Sequence, residues 1–399
     1  MPRFEPFPAV RYSATAGEPA ALIAPPYDVI GPDERAALEA RSSVNAVRLE
    51  LPSDGHAGAA ARFRAWMADG TLVGDSEPAF YVYRMTAGGR ATTGVLGALE
   101  LEAPGAGILP HERTTAKDKS DRLGILRTTE VNLSPIWALS AAHGRLAAAA
   151  RPDGLEPLAS AVDDEGVLHE LWRLDDPRRM AEVTAAVAAQ PVLIADGHHR
   201  FEVANEYRAE AGAASGAGAI LAYLVELAEE ELAVHPIHRL LSDVPADLAL
   251  PADLTPWFQI TPAAVDDAEQ LPAAMAEEGA LGLVLPSGLW LARPRATTTA
   301  AADDDLDSCR LDVALVGLAG LGKAVTVSFQ HGAGIVADAV RKGEADAAVL
   351  LRPATIGQIA ATGAGGERMP PKTTFFWPKP RTGLVFRDLA QAMVTDSSR

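Results

Sequence analysis

The residues best suited to chemistry lie in a short turn after the apolar run "PVLIA". They are Asp196, Gly197, His198, His199 and Arg200. If the apolar run is a strand and the next segment a helix, the helix-start amides and macrodipole favour an anion at the turn. Gly197 would let a phosphate approach the backbone closely, and Arg200 would offer a planar fork of donors to its oxygens. The turn is therefore a candidate phosphate site.

The paired histidines and the preceding aspartate have separate expected roles. Consecutive residues at a helix start point about 100° apart, so the imidazoles of His198 and His199 cannot share one task. We expect one to face the ligand and the other to hold a neighbouring element. Asp196, at the carboxyl end of the strand, is well placed to hold Mg²⁺. The alternative is an Asp N-cap followed by surface polar residues.

A second group of polar side chains follows "GILP". It contains His111, Glu112, Arg113, Thr114, Lys117, Lys119, Arg122 and Arg127. Segment 111–127 carries more Lys/Arg than Asp/Glu, although the whole chain has a formal net charge of −18. This local reversal favours a small anion, with Arg113, Thr114, Lys117 and Arg122 as phosphate contacts and Glu112 as a general base. The alternative is a solvated charged loop.

A third segment, residues 366–385, interleaves basic and aromatic side chains. It reads "GERMPPKTTFFWPKPRTGLV" and includes Arg368, Lys372, Lys379 and Arg381 beside Phe375, Phe376 and Trp377. Such a segment could grip a nucleotide, with the base stacked on an aromatic ring and the phosphates paired with cations such as Lys372. Equally, its prolines and aromatics could form an ordered crossing strand that packs domains together.

Other metal and nucleotide motifs are weak or absent from the sequence. His235 and His238 lie in an alternating run, where positions three apart face opposite sides of a strand. Cys309 is isolated, and no His-Glu-x-x-His pattern supports zinc. The glycines form neither a Walker P-loop nor a G-x-G-x-x-G turn. An ordinary kinase fold is therefore not indicated.

The composition limits the class of protein. The 399 residues are 48% hydrophobic and 22% charged, which is typical of a globular protein of two or three domains. The negative net charge disfavours nucleic acid and membrane surfaces as partners and leaves a small-molecule substrate. A single cysteine, an N-terminus without a long apolar run and no membrane-length apolar window predict a cytoplasmic protein.

The hydrophobic patterns predict elements around the turn. A strand over 192–195 leads into a helix from about residue 198 to 211, and further helices are predicted at 32–41, 56–69 and 176–189. A hairpin is predicted from Phe80 to Glu102 and a second one from "AILAYLVEL" and "ELAVHPIHRLL". Beyond residue 256, short strands alternate with helices at 264–278, near 305–317 and at 333–342. The acidic run at 303–307 is expected to be the capped start of the middle helix.

We predict three regions and an α/β (α+β) fold. Residues 1–105 would form an N-terminal arm and a hairpin region with a mixed sheet. Residues 106–245 would form the catalytic core that contains the helix-start phosphate turn. Residues 246–399 would form a C-terminal α/β domain, with a boundary where prolines and turn formers cluster near 242–256.

Five motifs together resemble a known family. "APPYDVI", "HERT", "IADGHHR", "HPIHR" and "MPPKTTFFWPKPRTGLV" occur in this order across nearly the whole chain. They closely resemble a widespread family of prokaryotic proteins long catalogued as a domain of unknown function. The Asp-Gly-His-His-Arg turn further resembles the ParB/sulfiredoxin-like superfamily, whose members hold nucleotide phosphates with a Gly-x-x-Arg-type turn at a helix start. Within that superfamily, the free-serine kinases look most similar.

The resemblance implies phosphoryl transfer from ATP or ADP to free L-serine, giving O-phosphoserine. Asp196 would then hold Mg²⁺ or orient the phosphate, residues 197–200 would cradle the phosphate, and Glu112 would be the base for the serine hydroxyl. Two alternatives stay open. One is metal-dependent hydrolysis of a phosphoester or nucleotide, using Asp196, His198 and His199. The other is a nucleotide-binding switch in the manner of ParB, without enzymatic activity.

Overall fold

The computed structural model describes residues 1–101, 107–110, 119–212, 216–365, 369–370 and 372–390. The chain divides into two compact units. Unit 1 comprises residues 1–232 together with the segment from Pro378 onward, and unit 2 comprises residues 233–377. The predicted region boundaries near residues 105 and 245 remain predictions.

Unit 1 is built on short strands and on helices that cover them. Its strands up to residue 226 are β1 (Phe4–Glu5), β2 (Val10–Tyr12), β3 (Leu72–Gly74), β4 (Phe80–Ala87), β5 (Arg90–Glu100), β6 (Ile108–Pro110), β7 (Val131–Asn132), β8 (Ile136–Ser140), β9 (Pro157–Val162), β10 (Leu168–Leu174), β11 (Val192–Asp196) and β12 (Ala219–Glu226). Its helices are α1 (Pro19–Leu22), α2 (Pro32–Arg41), α3 (Val47–Glu50), α4 (Gly55–Ala68), α5 (Lys119–Thr129), α6 (Arg145–Ala149), α7 (Pro177–Ala188) and α8 (His198–Ala211). Short 3₁₀ turns lie at Tyr27–Val29 and Gly216–Gly218. The helices predicted at 32–41, 56–69, 176–189 and 198–211 are confirmed within one residue at each end.

The main sheet of unit 1 is mixed, as predicted. Its nine described strands run in the order β6-β11-β8-β12-β5-β4-β10-β9, with β1 beside β5. The pairs β6/β11 and β8/β12 are parallel, and the other pairs are antiparallel. The strands, α7 and α8 share one core, to which Phe80, Trp172, Val187, Ile194 and Phe201 belong. This packing fixes β11 and α8, the two elements that flank the candidate turn.

The first predicted hairpin is confirmed. Strands β4 and β5 pair antiparallel up to Ala87 and Arg90, with Gly88 and Gly89 as the connecting residues. Both glycines have positive φ, 56° and 78°, which a tight two-residue hairpin loop requires.

The second predicted hairpin is wrong. Strand β12 pairs with β5 and β8, whereas the strand that follows it, Ala233–Ser242, pairs with strands of unit 2. All eight residues of β12 are buried, as expected of a central strand covered on both faces. Adjacency in sequence predicts a hairpin, but both edges of β12 are already paired, with β5 and β8, and β13 belongs to the sheet of unit 2.

Unit 2 is an α+β unit with an antiparallel sheet. Its strands are β13 (Ala233–Ser242), β14 (Phe258–Pro262), β15 (Leu281–Leu285), β16 (Gly288–Pro294), β17 (Thr326–His331), β18 (Ala347–Leu350) and β19 (Thr374–Trp377). Its helices are α9 (Leu271–Glu278), α10 (Ala296–Ala301), α11 (Asp307–Gly320), α12 (Ala333–Arg341) and α13 (Ile356–Gly365), and a 3₁₀ turn lies at Ala252–Leu254. The sheet order is β14-β16-β15-β18-β13-β17, with β19 also beside β13. The alternation of strands and helices predicted for this part of the chain is confirmed, although α9 begins later than the predicted residue 264.

The start of α11 differs from the predicted cap. The N-cap residue is Leu306, and no side chain caps the helix there. Instead, Asp307 in the first turn holds two arginines, Arg310 and Arg352.

The chain returns to unit 1 after Trp377. Arg387 and Asp388 form β20, which pairs antiparallel with β7. Thr382 forms a bridge with Ala24, and Phe386 forms one with Val10. Backbone hydrogen bonds therefore join residues 378–390 to the rest of unit 1 at several points. Among the helices in the described part of the chain, none is both long and apolar enough to cross a membrane.

Candidate functional site

The candidate turn has the predicted strand-to-helix form. Strand β11 ends at Asp196, Gly197 has φ 88° and ψ 27°, and α8 begins at His198. A Cβ on Gly197 would lie 3.0 Å from Nε and Nη2 of Arg200 and from Cγ2 of Ile136. Glycine is required here both by the left-handed backbone and by the close approach of the Arg200 guanidinium. No side chain caps the start of α8.

Asp196 is bound by two cations. Nη2 of Arg200 donates to Oδ2 at 2.9 Å, and Nζ of Lys379 contacts Oδ1. The three side chains are only 18%, 12% and 11% exposed for Asp196, Arg200 and Lys379. Burial alone would raise the pKa of Asp196, but the charges of Lys379 and Arg200 outweigh it and hold that pKa well below its usual 3.8. Burial lowers the pKa of Lys379, but the charges of Asp196 and Asp28 outweigh it and raise that pKa above its usual value. All three groups are therefore charged at neutral pH.

A hydrogen-bonded chain extends from this pair into unit 1. Nη1 of Arg200 donates to Oγ of Ser134 at 3.1 Å and to the carbonyl oxygen of Pro135. Ser134 in turn donates to Oε1 of Glu50 at 3.1 Å. Nη1 of Arg122 donates to the carbonyl oxygen of Glu50 at 3.0 Å and lies 3.4 Å from its Oε1. The chain links Arg122 on α5 to the turn at the start of α8.

Tyr27 lies beside both arginines of this chain. The guanidinium carbon of Arg122 is 4.2 Å from the centroid of the Tyr27 ring, and that of Arg200 is 6.0 Å away. Both distances fall within the range of cation–π attraction. Burial, modified by the surrounding charges, raises the pKa of Tyr27 to about 12, so its hydroxyl stays protonated at neutral pH.

A small cavity of about 50 Å³ lies within this network, lined by Glu50, Arg122, Ser134 and Arg200 together with apolar side chains such as Val203. Within the described ranges, Oε2 of Glu50 and Nε of Arg200 are buried without a hydrogen-bond partner. Sites for small-molecule ligands have volumes of roughly 300–1,000 Å³. This cavity is too small for a nucleotide and belongs to the network that supports the turn.

The segment that carries Lys379 is anchored two residues later by Arg381. Nε of Arg381 donates to Oδ2 of Asp163 at 2.8 Å, and Nη2 donates to Oε1 of Glu165 at 2.7 Å. Oδ2 of Asp163 is also hydrogen-bonded to Nε2 of His169 at 2.8 Å. Nδ1 of His169 lies 2.8 Å from the hydroxyl of Tyr83. The backbone N–H of Arg381 also donates to this hydroxyl, at 3.1 Å. Glu165 is 53% exposed, but the other side chains of this network are buried, so the network fixes the backbone from which Lys379 extends.

The described residues do not fit a metal ion at Asp196. Both of its carboxylate oxygens are already occupied by cationic groups. In the part of the chain that the structure describes, no group of three His, Cys, Asp or Glu side chains could hold a metal ion. His238, the buried member of the His-x-x-His motif, instead accepts the backbone N–H of Leu351 on Nδ1 at 3.1 Å. Arg200 and Lys379 place two positive charges at the position expected for Mg²⁺.

The structure brings together part of the predicted site. Asp196, Gly197, Arg200 and Arg122 belong to one network, and His198 is close enough to help lower the pKa of Asp196. His198 and His199 occupy the first turn of α8 and are half-buried. Lys372 belongs to unit 2, where its carbonyl oxygen accepts from Nη1 of Arg239 at 2.9 Å.

Arg368 of the third predicted segment lies outside the described part of the chain. So do five members of the second predicted group: His111, Glu112, Arg113, Thr114 and Lys117. The last described residue before them is Pro110, at the end of β6. It pairs in parallel with Ile194, two residues before Asp196.

Several members of the network cannot be predicted from the sequence. Tyr27 and Lys379 lie within two of the five motifs, but nothing in the local pattern connects them to the turn. Glu50 and Ser134 gave no signal, because an isolated carboxylate and an isolated hydroxyl are common on protein surfaces. A buried position for Glu50 could have been suspected only from its apolar neighbours in "AVRLELP".

Comparisons with known proteins give one family and several distant structures. A family model described as "Protein of unknown function (DUF1015)" matches residues 4–314. No curated protein matches the chain.

Three solved structures illustrate the distant likeness. A mutant of free serine kinase in complex with AMP is 14% identical with a TM-score of 0.40, covering 73% of this chain and 92% of that one. A conserved hypothetical protein from Pyrococcus furiosus is 13% identical with a TM-score of 0.39, covering 73% and 93%. SbnI from Staphylococcus aureus, with a C-terminal truncation, is 12% identical with a TM-score of 0.38, covering 73% and 87%. These TM-scores are too low for the likeness to carry a functional argument.

Proposed function

The chain belongs to the family described as "Protein of unknown function (DUF1015)", and we propose that it is a nucleotide-dependent phosphotransferase of the cytoplasm. The phosphoryl donor is ATP or ADP, and the acceptor is a small hydroxyl compound, with free L-serine as the preferred one. The observation that carries the proposal is the fixing of Arg200 and Lys379 by Asp196 at the uncapped start of α8.

The charge of the network supports an anionic ligand. Three largely buried cations, Arg122, Arg200 and Lys379, face two largely buried carboxylates, Glu50 and Asp196. Two further carboxylates act on these cations, Asp121 on Arg122 and Asp28 on Arg200 and Lys379, but both are exposed and therefore screened by water. Among the buried groups one positive charge is left over, and burial makes it act more strongly than it would in water. The N-terminus of α8 adds its own partial positive charge. A phosphate group at the turn would neutralise the remaining positive charge.

Phosphoryl transfer suits such a site because it depends on positioning and charge neutralisation more than on covalent help. Asp196 acts as a positioning residue, since it holds Arg200 and Lys379 in place by ion pairs. The two cations then stabilise the charge that develops on the transferred phosphoryl group. No step is assigned to a protein-bound metal ion, because both oxygens of Asp196 are already taken.

In the proposed reaction, the serine hydroxyl oxygen attacks the terminal phosphorus of the nucleotide. A new O–P bond forms while the bond from that phosphorus to the bridging oxygen breaks, releasing ADP from ATP or AMP from ADP. The hydroxyl proton passes to a carboxylate, for which Glu112 is the candidate. The candidate is supported by its position two residues after Pro110, which pairs with the strand that ends at Asp196.

The proposal is tested by incubating the full chain with ATP or ADP, Mg²⁺ as the nucleotide's counter-ion, and a mixture of amino acids. We expect O-phosphoserine in the mass spectrum and its loss in Lys379→Met, with full retention in Lys342→Met, which removes an exposed lysine of unit 2. Phosphorylation of another hydroxyl compound would replace serine as the acceptor and would still support phosphoryl transfer. Nucleotide binding without any turnover would instead support a binding switch, and hydrolysis that needs no acceptor would support a hydrolase.

A further inference from the structure

Unit 2 contains a cavity that the proposed function does not use. Its volume is about 260 Å³, close to the lower end of small-molecule sites at roughly 300 Å³ and far above the roughly 30 Å³ that one water molecule occupies. It lies between the start of α11, the loop after β18 and the start of α13. Its polar lining includes Asp307, Ser308, Arg310, Arg352 and Thr373.

One buried carboxylate in this cavity is already satisfied. Asp307 accepts from Nη1 of Arg310 at 3.0 Å and from Nη2, Nε and the backbone N–H of Arg352 at 2.6, 2.9 and 3.1 Å. The second carboxylate beside Arg310, that of Asp305, is 73% exposed and therefore well screened by water. The lining thus has two guanidinium groups, those of Arg310 at 10% and Arg352 at 30% exposure, and two carboxylates, of which only that of Asp307 is buried.

Donors remain that Asp307 does not use. Arg310 is only 8% exposed, and its Nε is buried without a hydrogen-bond partner among the described residues. Ser308 is 2% exposed, and its hydroxyl interacts with the thiol of Cys309 and lies 3.4 Å from the hydroxyl of Thr373. The Thr373 hydroxyl itself donates to the carbonyl oxygen of Pro370 at 2.8 Å. A cavity lined by two guanidinium groups, with one buried N–H that lacks an acceptor among the described residues, suits a ligand that accepts hydrogen bonds.

The start of α13 contributes little, because Thr355 and Gln358 cap each other. Oγ1 of Thr355 accepts the Gln358 N–H at 3.2 Å, and Oε1 of Gln358 accepts the Thr355 N–H at 2.9 Å. The start of α11 has no side-chain cap. The groups available to contact a ligand are therefore Arg310, Arg352, Ser308 and the start of α11.

We propose that this cavity is a ligand site of unit 2 for a small molecule with an oxyanion group, either a carboxylate or a phosphate. Guanidinium groups match the planar geometry of both anions. The cavity accommodates a metabolite of a few carbon atoms.

The test is isothermal titration calorimetry with inorganic phosphate and, separately, with succinate. Each titration uses the full chain and Lys379→Met, because the proposed phosphate site of unit 1 would otherwise contribute to the heat. In the Lys379→Met background, we expect saturable binding of at least one anion at one site per chain. Adding Ser308→Ala or Arg352→Gln should weaken that binding at least tenfold, whereas Ser328→Ala, which removes an exposed hydroxyl of β17, should not change it.

Two results would overturn the proposal. One is the absence of saturable binding of either anion in the Lys379→Met chain. The other is an unchanged affinity in both Ser308→Ala and Arg352→Gln. Circular dichroism checks that each variant is folded, and Ser308→Ala keeps the test valid if Arg352→Gln destabilises the ion pairs of Asp307.

Discussion

Lys379 and Asp196 are separated by 183 positions in the sequence and form a buried ion pair at the start of α8. The pair depends on the return of the chain to unit 1 after Trp377 and on the anchoring of Arg381 by Asp163. The candidate phosphate turn is therefore completed by a residue from the C-terminal segment. Asp196 therefore pairs with one cation that is close in sequence, Arg200, four residues later, and with one that is distant in sequence, Lys379.

The glycine of the turn should be sensitive to substitution for two separable reasons. Gly197→Ala introduces a side chain at φ 88° and places its Cβ 3.0 Å from the Arg200 guanidinium. Gly144→Ala is a matched control, since Gly144 has φ 82° but no atom within 4 Å of the added Cβ. We expect both changes to lower the free energy of unfolding by about 1–2 kcal/mol through backbone strain, with a larger loss for Gly197→Ala. Urea denaturation measures both, and equal losses would show that the contact with Arg200 has no cost.

Arg381 should act on the turn through Lys379. Arg381→Met leaves the buried carboxylate of Asp163 without its guanidinium partner, so the free energy of unfolding should fall by roughly 3–5 kcal/mol. Nucleotide turnover should fall as well, although Arg381 does not contact Asp196 among the described contacts. Arg381→Lys should restore part of both, and Arg151→Met, at an exposed position, should affect neither. Normal turnover in a folded Arg381→Met chain would mean that Lys379 does not depend on this anchor.

His238 should make unit 2 sensitive to acid. Burial, with smaller contributions from Arg239 and His331, lowers the pKa of His238 from 6.5 to about 4. Its neutral Nδ1 is needed to accept the Leu351 N–H. Because the unfolded chain binds this proton at higher pH than the folded chain, the stabilisation is complete above pH 6.5 and declines as the pH falls toward 4.

The matched variant for this effect is His238→Asn, because the Asn side-chain oxygen can accept the same N–H without titrating. We expect the free energy of unfolding of the natural chain to fall by about 3 kcal/mol between these pH values, at 1.36 kcal/mol for each pKa unit. The free energy of unfolding of His238→Asn should fall less over the same pH range. Denaturation at a series of pH values measures the difference, and parallel pH profiles would exclude His238 as the source.

The sequence predicted the local features of the fold and the site well. The β11–Gly197–α8 turn was accessible because an apolar run, a glycine and a helical period are all properties of neighbouring residues. The first hairpin was accessible for the same reason, since its two glycines meet the needs of a tight turn. Local patterns of this kind do not depend on where the rest of the chain lies.

Features that depend on distant parts of the chain were not accessible. Nothing near Lys379 indicates that it meets Asp196, and nothing near Glu50 indicates that it meets Arg122. The second hairpin was predicted wrongly because β12 and β13 are adjacent in sequence yet belong to different sheets. Asp196 was expected to hold Mg²⁺ because a strand-end carboxylate suits that ion, but two cationic side chains bind its oxygens.

The most direct test of the account is the binding of ADP to the full chain and to Lys379→Met, measured by isothermal titration calorimetry, with Lys342→Met as the control. We expect saturable binding of one ADP per chain, weakened at least tenfold in Lys379→Met and unchanged in Lys342→Met, because a buried charge that meets phosphate oxygens is lost only in the first variant. Equal affinity of a folded Lys379→Met chain and the natural chain for ADP would contradict it.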